Sequence, residues 1–244
     1  MLDLEKYSKI IVANWKMNGS FKFIDDFSEK IALLENFNKS TCSVICPPFT
    51  YLQYFSKKLA NFYFGAQECS KYEEGAFTGD ISVKMLKDLN CSFCILGHSE
   101  RRKLFNETSF DVSKKSYHCI NFDIHPIICV GESLEEKKLN QTKEILYKQI
   151  KESISDNVTN KNTIIAYEPV WAIGTGLTPS LQEIDDIHKF IKKDIKGLED
   201  FKVLYGGSVK SSNFSEIIEL KNVDGVLIGG ASIKLDEFKK ILLF

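Results

Sequence analysis

The sequence predicts an α/β protein in which eight parallel strands with outer helices close into a single (β/α)8 barrel. Three observations carry this expectation. Short apolar, β-rich runs recur about eight times, and segments with helical periodicity separate them to the end of the chain. Continuous apolar strands between amphipathic helices imply a parallel sheet covered by helices, because a parallel connection needs a long crossover. The polar and glycine-rich clusters follow the strands, which in a barrel gathers them on one rim. The 244 residues suit one barrel of about 250 residues, so residues 1–244 are expected to form one domain. An open doubly wound sheet is the alternative. Its dinucleotide-binding form is disfavoured, because Asn14-Trp15-Lys16-Met17-Asn18-Gly19 stands after the first strand in place of a Gly-x-Gly-x-x-Gly turn.

In chain order the expected strands are 9–13, 43–46, 62–66, 92–96, 126–130, 163–167, 202–204 and 225–228. Phe23, Phe27, Ile31, Leu34 and Phe37 recur at helical spacing after the first strand, as do Ile145, Ile150 and Ile154 after the fifth. Segments 106–121 and 134–156 read as the longest amphipathic covers.

Composition bounds the function. With 43% hydrophobic and 27% charged residues the chain is that of a soluble globular protein. A formal net charge of -1 supplies no global field for nucleic acid or anionic lipid, so neither is an expected partner, and an anionic ligand needs a local site. The seven cysteines are odd in number and mostly sit in apolar runs, which reads as buried thiols in a reducing compartment. No apolar run reaches a membrane span of about 18 residues, and Met-Leu-Asp-Leu-Glu-Lys does not read as a targeting segment, so the expected location is cytoplasmic.

Two glycine pairs, Gly206-Gly207 before Ser208 and Gly229-Gly230 before Ala231-Ser232, follow the last two strands. Each pair alone reads equally as a tight turn. Together they match the loops where barrels hold phosphate through backbone N–H groups. Glu168 ends the sixth strand, where partial desolvation suits a carboxylate to removing a proton beside a carbonyl. After it, Pro169-Val170-Trp171-Ala172-Ile173-Gly174-Thr175-Gly176 is apolar in the middle, stiff at one end and glycine-loosened at the other, as a hinged lid would be. His98 ends the fourth strand before a charged helical stretch, where a neutral imidazole could polarise a carbonyl. Lys16, beyond Asn14 at the first strand's end, could attract a phosphate or enolate oxygen. Cys91-Ser92-Phe93-Cys94 has metal or redox spacing, but strand alternation is expected to point the two thiols to opposite faces. No second pair of ligands stands at finger spacing and the four histidines are scattered, so no metal is expected.

Six segments in order resemble the triosephosphate isomerase family. They are Ala13-Asn14-Trp15-Lys16-Met17-Asn18-Gly19, Gly75-Ala76-Phe77-Thr78-Gly79, Leu96-Gly97-His98-Ser99-Glu100-Arg101-Arg102, the run from Ala166 to Gly176, Tyr205-Gly206-Gly207-Ser208-Val209, and Gly229-Gly230-Ala231-Ser232. The resemblance implies cofactor-free interconversion of dihydroxyacetone phosphate and D-glyceraldehyde 3-phosphate through an enediolate. The family is a known case of a glutamate base beside a neutral histidine under a closing loop. By position Glu168 would be the base, His98 the electrophile, and Lys16 and Asn14 polar groups on the substrate oxygens. Gly174, Ser208, Gly229 and Gly230 would hold the phosphate, Ser99 and Glu100 would support the site, and residues 169–177 would form the lid. Cys129 stands where the family commonly has cysteine. The resemblance also implies a homodimer whose loop 67–79 brings Thr78 to the neighbour's Asn14 and His98. One departure concerns the lid hinge, where Leu177 replaces the family's usual lysine.

Two other readings compete. A Schiff-base aldolase wants a lysine at the end of the sixth strand, where this chain has Glu168, and many sugar-phosphate epimerases want metal-binding His and Asp that are missing. A non-catalytic barrel would have lost a catalytic residue, yet Asn14, Lys16, His98 and Glu168 are all present.

Overall fold

The computed structural model describes residues 1–34, 40–173 and 177–244. Its strands are β1 (Lys9–Asn14), β2 (Thr41–Cys46), β3 (Tyr63–Ala66), β4 (Phe93–Leu96), β5 (His125–Val130), β6 (Ile164–Tyr167), β7 (Lys202–Tyr205) and β8 (Gly225–Ile228). They run parallel and close in sequence order, β1 pairing with both β2 and β8. All the expected strands are present, with ends displaced by at most about two residues.

The strands are apolar throughout because both faces are buried. Ile10, Val12, Phe93, Ile95, Ile127, Ile164 and Leu204 fill the barrel interior. Their neighbours in sequence, among them Ile11, Leu96, Ile128 and Ile165, face outward into a second apolar layer with the helices.

The helices are α1 (Phe21–Ala32), α2 (Phe49–Phe55), α3 (Val83–Asp88), α4 (Ser99–Phe105), α5 (Ser109–Asn121), α6 (Leu134–Lys138), α7 (Thr142–Ser153), α8 (Leu181–Lys189), α9 (Phe214–Ile218) and α10 (Leu235–Leu242). In α1 the expected stripe of Phe27 and Ile31 is buried, with Ile24 beside it. Leu34 packs on that layer from beyond the helix end, and Phe37 lies outside the described residues.

Both long covers are shorter than expected. The first starts three residues late, because Asn106 takes a left-handed φ of 53° to close α4, and Thr108 and Asp111 then form a capping box that starts α5. Residues 134–156 divide because Asn140, at φ 57°, ends α6 before α7 begins. Ser133 with Glu136, and Ser180 with Glu183, make two more boxes. Each such cap is worth about 1 kcal/mol.

Trp15 fixes the first rim loop. It is fully buried, with its ring 4.8–5.1 Å from those of Phe23, Phe27 and Phe55. Burying an indole of this size removes on the order of 200 Å² from water, up to about 5 kcal/mol of transfer free energy. Asn14 and Lys16 flank it and are thereby held at the rim.

All seven cysteines are buried and unpaired. Cys91 and Cys94 do not point to opposite faces as expected. Cys91 precedes β4, where strand alternation does not yet apply, and both pack in the layer between barrel and helices. Among the described residues no helix is long and apolar enough to cross a membrane.

Candidate active site

The C-terminal ends of the strands surround a cleft of about 550 Å³ whose lining includes Asn14, Lys16, His98, Glu100, Glu168, Ser208, Gly229 and Gly230. Eight residues singled out from the sequence therefore meet in one place.

His98 is placed by the turn that leads from β4 into α4. Gly97 takes φ 68°, its N–H donates to Glu107 Oε2 at 3.1 Å, and its carbonyl accepts from Arg102 Nε at 2.8 Å. The turn is thus pinned from both sides. His98 then caps α4, its Nδ1 accepting the Glu100 backbone N–H at 3.2 Å. A nitrogen that accepts a hydrogen bond carries no proton, so this pattern assigns the ring hydrogen to Nε2. Nε2 points at Glu168 Oε1, 3.1 Å away.

Glu168 follows β6 and is 2% exposed. Its backbone N–H donates to the Val130 carbonyl at 2.7 Å, and its Oε2 accepts the Ser99 N–H at 2.9 Å. A carboxylate that can only accept and an imidazole that presents a donor therefore share one wall of the cleft. Gly206 leaves room for this side chain, since a Cβ there would stand 2.8 Å from Glu168 Cγ.

The opposite wall carries the cation. Lys16 has a left-handed φ of 51°, which costs an L-residue roughly 1–2 kcal/mol, and Asn14 Oδ1 accepts its backbone N–H at 3.0 Å. Gln67 Nε2 donates to the Lys16 carbonyl at 2.9 Å. The ammonium lies 2.6 Å from Glu100 Oε1, and a Cβ built on Gly229 would stand 3.1 Å from Lys16 Cε and 3.7 Å from its Nζ, so the side chain hangs over the loop after β8. At Gly230 a Cβ would meet open space.

The segment after Glu168 is anchored from beneath. Glu132 is buried, and burial raises its carboxyl above the ordinary range. Its Oε1 accepts from Trp171 Nε1 at 2.8 Å and from the Tyr167 hydroxyl at 3.2 Å, while Lys137 Nζ sits 3.6 Å from the Trp171 ring centroid. Ser208 Oγ donates to the Ala172 carbonyl at 2.8 Å, tying this turn to the loop after β7. The expected lid is thus described only through Ile173 and at Leu177. Gly174, with Thr175 and Gly176, lies outside the described residues.

Cys129 and Thr78 lie elsewhere. Cys129 is buried in the barrel interior, where burial raises its thiol far above the usual range, and its carbonyl accepts from Arg102 Nη2 at 3.2 Å. Thr78 is exposed on its loop and does not line the cleft of its own chain. Sequence reasoning missed Glu107 and Glu132 as supports, and Lys210 and Lys234 in the cleft lining. Charged residues in loops and helix turns carry no local signal of what they will face.

The family model for triosephosphate isomerase matches residues 9–244. A triosephosphate isomerase of Francisella tularensis subsp. mediasiatica is 40% identical over 243 residues, covering 96% of each chain. Those of Alkaliphilus oremlandii and Mesomycoplasma hyorhinis are 42% and 40% identical, each alignment covering 96% of this chain and 98% and 97% of theirs. A match of this extent, on a closed eight-stranded parallel barrel, means that the chain belongs to the triosephosphate isomerase family.

Proposed function

We propose that Glu168, His98, Lys16 and Asn14 carry the family's reaction in this chain, the interconversion of dihydroxyacetone phosphate and D-glyceraldehyde 3-phosphate of glycolysis and gluconeogenesis. The contact of Glu168 Oε1 with His98 Nε2 carries this reading, because it sets an acceptor and a neutral donor side by side. Substrate entering between them takes the Nε2–H on its carbonyl oxygen. Glu168 turns from the Ser99 N–H to the carbon beside that carbonyl and removes a proton. The electron pair moves onto the oxygen, giving an enediolate stabilised by His98, the Lys16 ammonium and Asn14. Return of the proton from Glu168 to the adjacent carbon, with passage of the hydroxyl proton from its own oxygen to the former carbonyl oxygen, completes the isomerisation. Two protons change places and no electron is gained or lost, so the steps call for neither cofactor nor metal.

Backbone N–H groups at Ser208, Gly229 and Gly230, with Gly174, are the proposed phosphate seat. Closure of residues 169–177 would exclude water and protect the enediolate from losing phosphate. We further propose that residues 1–244 act as one catalytic domain in the cytoplasm, paired as a homodimer through loop 67–79. The exposure of Met17 at 96% and of Phe77 and Thr78 supports a partner at that face.

The test is turnover of D-glyceraldehyde 3-phosphate, followed by coupled NADH oxidation, for the native chain and Glu168→Gln. The amide cannot take the proton, so a loss of roughly 10³-fold or more in kcat is expected. Native protein without turnover, or a variant within tenfold of it, would overturn the assignment.

A further inference from the structure

Beneath the rim, three thiols meet that the proposed chemistry does not use. Cys69 lies in the loop after β3, Cys94 in β4 and Cys119 in α5, and their sulfur atoms all stand within 4.8 Å of one another. Cys69 and Cys119 are 3.8 Å apart, sulfur to sulfur. All three side chains are completely buried.

We propose that Cys69, Cys94 and Cys119 form a three-sulfur site for a soft monovalent metal ion, of which copper(I) is the type. Geometry selects the ion. With metal–sulfur bonds of about 2.3 Å, three sulfurs around a trigonal metal stand ~4 Å apart, near the 3.8 Å between Cys69 and Cys119 and inside the 4.8 Å that bounds all three separations. Among the described residues no fourth His, Cys, Asp or Glu joins the trio, so a tetrahedral zinc ion would lack a ligand. Hard cations want oxygen donors and are excluded by the same set.

The residues flanking the cluster are tied into a charge-balanced network: Lys115, four positions before Cys119 on α5, bridges Glu107 and Glu68 Oε2, the latter at 2.6 Å and next to Cys69 in sequence, and Arg101 Nε lies 3.2 Å from Glu68. Each thiol that ligates releases its proton to solvent, and copper stays in one oxidation state throughout. Entry needs a local opening. Residues 67–82 form neither helix nor strand, so the loop bearing Cys69 can open once its ion pairs to α5, Glu68 to Lys115, Lys71 to Asp111 and Glu73 to His118, release. A filled site would add to those pairs a covalent tie from the loop to β4 and α5.

The experiment loads reduced, native protein with copper(I) under anaerobic conditions and competes the metal with a copper(I) chelator. X-ray absorption reads the ligands. One copper per chain, with three sulfur neighbours at about 2.2–2.3 Å, is expected. Cys119→Ser should weaken retention against the chelator roughly tenfold or more, while Cys91→Ser, another buried thiol in the same layer, should retain it. Isomerase turnover and circular dichroism certify folding, and Cys69→Ala replaces Cys119→Ser if that variant does not fold. Native protein that binds no copper, binding that survives loss of a member of the trio, or equal loss in Cys91→Ser would each overturn the proposal.

Discussion

Replacing Gly206 by alanine isolates how tightly the barrel holds its base. The added Cβ would lie 2.8 Å from Glu168 Cγ and 3.2 Å from the Tyr167 carbonyl oxygen, whereas ordinary contact begins near 3.4 Å. The shortfall against Cγ is about 0.6 Å, too much for the repulsive wall to absorb. The backbone cannot retreat freely, because the Gly206 N–H donates to that same Tyr167 carbonyl at 2.7 Å. Glu168 must therefore shift, and its carboxylate moves relative to Ser99 and His98. Misplacement of a reacting group by ~1 Å costs on the order of 10²-fold, about 2.7 kcal/mol in the barrier. Steady-state kinetics of Gly206→Ala should show this fall in kcat, with KM changed little because the proposed phosphate contacts lie on other residues. Thermal unfolding should show that the variant still folds. A folded variant with native kcat, or a change confined to KM, would refute the claim that this glycine sets the position of the base.

Other perturbations follow from the same contacts. Trp171→Phe keeps a ring near Lys137 but deletes the 2.8 Å bond to buried Glu132, at a cost of about 1–3 kcal/mol. The expected result is faster amide exchange in residues 170–173 and a fall of roughly tenfold in kcat/KM. Lys115→Met deprives buried Glu107 and half-buried Glu68 of their shared ammonium and leaves them Arg101 alone, so the urea midpoint should drop by the equivalent of about 3 kcal/mol. His188 is fully buried, and burial lowers its pKa to about 3. Its ordinary value is about 6.5, so between those values the unfolded chain takes up a proton that the folded chain refuses. The His188 contribution is thus complete above pH 6.5 and is lost on acidification at about 1.4 kcal/mol per pH unit. Denaturant titrations from pH 7 to pH 5 should show a shallower decline for His188→Gln, and parallel declines would contradict the assignment.

The strands were legible because burial on both faces leaves uninterrupted apolar runs, which no other element of this length produces. The rim residues were legible because each stands directly after such a run. Asn14, His98, Glu168 and the two glycine pairs need only the end of a strand to be found. What the sequence hid depends on distance along the chain. Glu132 meets Trp171 39 positions later and Cys69 meets Cys119 50 positions later, and no local period links either pair. Asn140 breaks the expected helix 134–156, and Asn106 delays the start of the one expected from 106, each by adopting left-handed backbone. The Cys-x-x-Cys spacing drew attention to Cys91 and Cys94, whose thiols were expected on opposite faces, whereas three-dimensional proximity joins Cys94 to residues 25 positions away on either side.

Strand register explains why two residues far apart in sequence meet at 3.1 Å. β4 and β6 do not touch, but each is aligned to β5, with Leu96 opposite Ile128 and Ile128 opposite Ile165. His98 and Glu168 therefore emerge at nearly the same height, two and three residues beyond that shared level. A one-residue slip of either strand would turn its apolar residues from one buried layer to the other, which both layers resist. The packing that excludes such slips also fixes the catalytic pair. Small residues between the strands complete the arrangement: Gly131 lies where a Cβ would overlap the Glu168 carbonyl at 1.7 Å, so β5 can turn away beneath the base only as glycine. The site's geometry is in this sense a property of the barrel core, and substitutions in β5 should disturb the reaction even where they touch no substrate.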